Sequence, residues 1–189
     1  MTDSITQYLE AVRRGEPGAS QALLEKVYDS LRTIAANRLG REHGKEGLQP
    51  TELVHEAWLR LGGNEVTEWE NRFHFFAAAA EAMRRTLIDN ARRKQSSKRG
   101  GAQAKQYVLS DDDLVTMPLA DELLDLDEAL TVMEKTYPIH VQVVKLKFYA
   151  GMTMAEIAEV TNVSVATTER YWVFAKTWLH HRMSSGENG

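Results

Sequence analysis

Strand signals are almost absent from this chain, and apolar residues recur three and four positions apart along most of its length. That spacing lines them up on one side of an α-helix, so each helix has a face that must be buried against another. The expected fold is all-α: two small helical domains joined by a flexible linker. The first domain spans residues 1–95, the linker 96–122, the second domain 123–183, and a short tail 184–189. Ser96-Ser97-Lys98-Arg99-Gly100-Gly101 and the polar, acidic stretch from Ser110 to Asp113 mark the linker, because serine and paired glycines disfavour regular structure. With 189 residues, 43% of them hydrophobic, each lobe can build a core. The chain has no cysteine, which excludes a disulfide framework and cysteine-ligated zinc and fits a reducing cytoplasm. Met1 to Glu10 shows neither the basic nor the apolar segment of a secretory signal. No stretch approaches the roughly 20 apolar residues of a membrane span, so the chain reads as cytoplasmic, with no membrane partner.

In the first domain the pattern predicts a helix from about Ser20 to Leu39, then a loop at Gly40 to Gly47. A second helix opens at Thr51, with Pro50 before it and Leu53, Val54, Ala57, Trp58 and Leu61 as its apolar stripe; Gly62-Gly63 stops it. A third runs from about Asn71 to Lys94. Its first half is apolar (Phe73, Phe75, Phe76, Ala77 to Ala80) and its second half basic, an anchored base with a phosphate-seeking end. Phe73 and Phe76 read first as core and second as platforms for unpaired bases.

Net charge conceals the relevant electrostatics. The total is -4, yet Arg84 to Arg99 holds seven basic residues and one acid, Asp89, while Asp111 to Glu128 holds eight acids and no base. Phosphates respond to the local stripe, because affinity comes from counterions released at the contact. The acidic run reads as solvated linker, with shielding of the basic helix in the free protein as the alternative.

The second domain holds the strongest local signal. Pro138 suits a first helical turn, and Gly151 ends that helix. Thr153-Met154-Ala155-Glu156 is a capping box, in which each end satisfies a free backbone N–H of the other. A tight turn follows at Asn162-Val163, and Ser164 is a natural cap for the next helix. There, Val165, Thr168, Trp172, Ala175 and Leu179 share an inward face, while Thr167, Arg170, Val173 and Thr177 lie outward. This is the layout of a helix-turn-helix whose second helix enters a major groove. Ser164, Ala166, Thr167, Arg170 and Lys176 are its candidate DNA contacts, with Arg170 suited to guanine O6/N7 or a phosphate. Glu169 is discordant beside phosphates. Tyr171, Phe174 and Trp178 read as packing.

Three segments resemble the extracytoplasmic-function (ECF) sigma factors, in particular an ECF-like subgroup of the planctomycete type. Phe75 to Lys94, with its Ile88-Asp89 followed by arginines, resembles the helix that melts and reads the minus-ten promoter element. Thr51 to Leu61 resembles the segment gripping the clamp helices of the polymerase largest subunit. Met154 to Arg170, continuing through Glu169 to Leu179, resembles the minus-thirty-five helix-turn-helix. The resemblance covers nearly the whole chain, in order. It implies a non-catalytic protein without cofactor or metal that directs promoter-specific initiation. Its partners would be core RNA polymerase (clamp helices and flap), promoter DNA and an anti-sigma factor. By position, Glu52, His55, Glu56 and Arg60 would face polymerase, and Arg84, Arg85, Asn90, Arg92, Arg93 and Lys94 the minus-ten region. Arg85 stands where the family usually has asparagine, which leaves the base read there open.

Two other readings are possible from the residues alone. A helix-turn-helix repressor or activator with an N-terminal sensing lobe explains Thr153 to Leu179 equally well, but not the basic helix of the first domain. A metal-dependent helical enzyme has one Glu-x-x-His unit, Glu52 to His55, in its favour. No second unit exists, and His43, His74, His140, His180 and His181 fall in no ligand spacing.

Overall fold

The computed structural model describes residues 2–39, 49–61, 71–97 and 120–185. These residues form helices without a strand among them. The first lobe comprises α1 (Thr2–Arg13), α2 (Ala19–Leu39), α3 (Pro50–Arg60) and α4 (Arg72–Ser97); the second comprises α5 (Ala120–Glu134), α6 (Pro138–Phe148), α7 (Met154–Thr161) and α8 (Val165–Ser185). The loop at 40–47, the stop at Gly62-Gly63, most of the expected linker and the end of the tail lie outside the described residues. No described helix is long and apolar enough to cross a membrane.

Local chemistry explains most boundaries. Pro50 occupies the first turn of α3, where its missing N–H costs nothing, and the Gln49 N–H is taken by the Glu52 carboxylate at 3.0 Å. Helix α3 therefore starts one residue earlier than expected. Pro138 opens α6 in the same way. The α6 helix ends at Phe148, and Gly151 takes φ 66°, which a side chain would resist. Helix α4 runs on through Ser96 and Ser97, and α5 begins at Ala120, so both edges of the expected linker are helical. The acids Asp121, Glu122, Asp125, Asp127 and Glu128 accordingly lie on a helix rather than in a solvated connector.

The α3 stripe is inward as expected: Leu53, Val54, Ala57, Trp58 and Leu61 are all buried. Tyr28 of α2 meets Trp58 edge-on at 6.2 Å. Helix α4 is different in kind. Phe75, Phe76, Ala79, Ala80, Ala82, Met83, Thr86, Leu87, Ile88 and Ala91 are all buried, and at helical spacing they cover more than half of its circumference. One side packs on the first lobe and the other on α5 and α6. The buried apolar residues of the described helices consequently form one continuous cluster, and the two helical domains share an interface rather than standing apart.

Candidate nucleic-acid interface

The helix-turn-helix is built by local backbone devices. Thr153 Oγ1 accepts the Glu156 N–H at 3.2 Å, and the Glu156 carboxylate accepts the Thr153 N–H at 2.8 Å. Asn162 closes α7 in the left-handed conformation (φ 56°, ψ 42°), a geometry asparagine tolerates better than most residues. Ser164 caps α8 by accepting the Thr167 N–H at 3.1 Å, and its hydroxyl also meets that of Thr167 at 2.9 Å. Ile157, Ala158, Thr168, Trp172, Ala175 and Leu179 pack the hairpin inward. Val165 does not join them. It is exposed, whereas Thr168 in the same first turn of α8 is fully buried.

Ala166, Arg170, Val173 and Thr177 are exposed on the outer face, with Thr167 half-buried beside them. Arg170 donates to Thr167 Oγ1 at 3.1 Å, which holds the guanidinium beside the cap. Lys176 lies over the Trp172 ring, 5.7 Å from its centre. The aromatic residues take the opposite flank. Phe174 meets Tyr137 and His140 with ring centres 4.9 and 4.7 Å apart, and Tyr171 meets His140 at 4.7 Å. Desolvation by burial lowers the His140 pKa.

The basic residues of α4 do not form one stripe. Arg85 and Arg92, two turns apart, project along the same outward line. Arg93 instead pairs with Glu56 of α3 at 3.5 Å. Asp89, the one acid of the basic block, binds Arg60 of α3 at 2.6 Å and lies 4.0 Å from Arg92. Two residues expected to face polymerase are thus linked to the helix expected to face DNA. Glu52 and His55 are exposed beside them, and so is Leu59, at 59% exposure. Sequence reasoning missed Leu59. The signal was its position off the buried stripe, three and four residues after Glu56 and His55.

Arg84 follows a third course. Its side chain is only 19% exposed, and its guanidinium lies between Glu81 of its own helix, at 2.9 Å, and Asp127 of α5. Glu81 also receives Arg85 at 2.9 Å and Lys145 of α6 at 3.4 Å, and Lys145 continues to Glu134 at 2.9 Å. Burial alone would raise the Glu81 pKa, but hydrogen bonds from Arg84 and Arg85 and the charges of Arg84 and Lys145 outweigh it and bring it to about 2. Hydrogen bonding to Glu81, opposed by desolvation and aided by Asp127, raises the Arg84 pKa. Asn90 and Lys94 are half-buried. Phe75 and Phe76 are core residues in edge-on contact at 5.1 Å, which removes Phe76 as a stacking platform in this arrangement.

The family model for ECF sigma factors matches residues 2–185, which spans both lobes. The chain belongs to the ECF sigma factor family. Sigma factors direct transcription initiation, so the two surfaces described above belong to a DNA-binding regulator that works with RNA polymerase. No curated protein and no solved structure matches the chain. Within this sigma factor, no group of three or more His, Asp or Glu side chains among the described residues is arranged to hold a metal ion.

Proposed function

We propose that this sigma factor joins core RNA polymerase through the outer face of α3 and directs it to promoters through two DNA-reading surfaces. Glu52, His55, Glu56, Leu59 and Arg60 contact the clamp helices. Arg85, Asn90, Arg92, Arg93 and Lys94, with Arg84, meet the minus-ten region where strands separate. Ser164, Ala166, Thr167, Arg170 and Lys176 meet the minus-thirty-five element, most of the contacts fixing position on phosphates and few reading bases. The flank of α8 lined by Phe174, Thr177, Trp178, His181 and Arg182, around a cavity of about 410 Å³, is the surface offered to the flap. An anti-sigma factor would compete for these same surfaces. The chain performs no catalysis and needs no cofactor.

The observation that carries this reading is a helix-turn-helix capped at both of its helices, Thr153 to Leu179, in a chain that the ECF sigma model matches from end to end of its described helices. Binding to promoter duplexes with and without core polymerase tests it. The expected result is weak binding by the free chain and tight, sequence-specific binding in the holoenzyme. Tight, specific duplex binding by the chain alone would instead mean an ordinary helix-turn-helix repressor or activator.

A further inference from the structure

Glu169 is out of place on the outer face of α8, because a surface that meets phosphates should not carry an uncompensated acid. It is exposed, and among the described residues it forms no ion pair or side-chain hydrogen bond. Its neighbours one turn away along the helix are Val165, Ala166, Trp172 and Val173, none of them a cation. Val165 and Val173 are 43% and 56% exposed, and Ala166 is exposed beside them. The nearest cations of α8 are directed elsewhere. Arg170 is held by Thr167 on the other flank, and Lys176, two turns on, lies over the Trp172 ring. Helix polarity does not account for the acid either, since the first turn of α8 holds none and Glu169 follows it. The outer face thus has two flanks. Ser164, Thr167 and Arg170 suit phosphates and guanine; Glu169, ringed by aliphatic groups, would repel a phosphate.

We infer that Glu169 is a base-reading residue that selects cytosine in the major groove of the upstream element. This inference rests on the reading of α8 as the minus-thirty-five surface. The donor and acceptor pattern of the groove chooses the base. Guanine presents two acceptors there, thymine an acceptor and a methyl group, and adenine an acceptor beside its amino group; cytosine alone presents only its amino donor. A carboxylate has acceptors only, so it bonds cytosine and is repelled by the acceptors of the other three bases. The aliphatic groups around it exclude water once the helix is docked. That strengthens the hydrogen bond and raises the cost of leaving the carboxylate unpaired opposite a wrong base. Glu169 therefore acts chiefly by rejection, and Arg170 keeps its guanine or phosphate role on the other flank.

Holoenzyme binding to a duplex library randomised across the upstream element provides the test, with the parent chain, Glu169→Ala and Glu169→Gln compared. Both changes fall at an exposed position, so the fold is kept. The parent should select cytosine at one position, and Glu169→Ala should lose at least about fivefold of that preference while the other positions keep theirs. Glu169→Gln should shift the preference there toward adenine, whose N6 and N7 a glutamine bonds together. On the selected sequence, that cytosine is then replaced by 2-pyrimidinone, which lacks the amino group. The replacement should weaken the parent at least about fivefold and Glu169→Ala less than about twofold. Uniform tightening of Glu169→Ala on every sequence, with base preferences unchanged, would reduce Glu169 to a repeller of phosphates and overturn the inference. Variants indistinguishable from the parent would overturn it too. A parent holoenzyme that selects no upstream sequence would sink the reading of α8 and this inference with it, whereas a selective parent whose choice ignores Glu169 sinks the inference alone.

Discussion

The two surfaces proposed to face DNA are held in place by different means. The outer face of α8 is positioned by neighbours in sequence: a capping box, one left-handed asparagine and a serine cap. Its central cation, Arg170, is held by a hydroxyl three residues away. The cations of α4 are positioned by long-range charge pairs, Arg93 with Glu56 and Arg84 with Asp127. A locally built surface is preorganised for duplex DNA and stays so wherever its lobe goes. A surface tied to other elements has to exchange partners before it can bind, which suits the proposed role of a helix that acts once polymerase has been engaged.

The largest expected effect tests whether the lobes are coupled. Leu126 of α5 is fully buried in the shared cluster. Leu126→Ala should cost about 2–5 kcal/mol. If the lobes unfold together, calorimetry should show the whole chain shifting in one transition. Two transitions, only one of which moves, would separate them. Next, Arg170→Ala should lose about 1–3 kcal/mol of discrimination at the upstream element, measured as holoenzyme binding to matched and mutated promoters. Equal weakening on every sequence would reduce Arg170 to a phosphate-binding role.

Neutralising Arg92 and Arg93 together should flatten the salt dependence of promoter binding, by roughly 0.9 in the logarithmic slope for each phosphate no longer neutralised. An unchanged slope would remove them from the DNA face and leave Arg93 as the partner of Glu56. Thr153→Ala should cost about 1 kcal/mol in thermal stability, because only the local cap is removed. The smallest effect is that of mild acid. The folded-state pKa of Glu81 is about 2, below its ordinary 4.5, so its stabilising contribution is complete above about 4.5 and is lost as pH falls through about 2. The distance between lobes should therefore not respond to Glu81 protonation between pH 7 and 5; opening in that range would assign the tie to another group.

The parts of the fold legible in the sequence were those with local causes. Thr153 and Glu156 are three residues apart and announce their helix start, and the α3 stripe fixes which side is inward by spacing alone. The pairing of Arg84 with Asp127 spans the chain between two helices, and nothing in a one-dimensional pattern chooses one acid among many as the partner. The acidic run thus read as solvated linker, although its second half lies in a helix laid against α4. The exposure of Val165 was equally hidden, because periodicity assigns a face but cannot say how far neighbouring elements cover it.

The central claim is that one chain brings polymerase and promoter together through these two surfaces. Transcription in vitro with core RNA polymerase and a library of promoter fragments tests it most directly. New start sites that require this chain, and that vanish when the α3 face is altered at Glu52 and Glu56, are the predicted result. No chain-dependent transcripts, together with no co-elution with core polymerase, would contradict it.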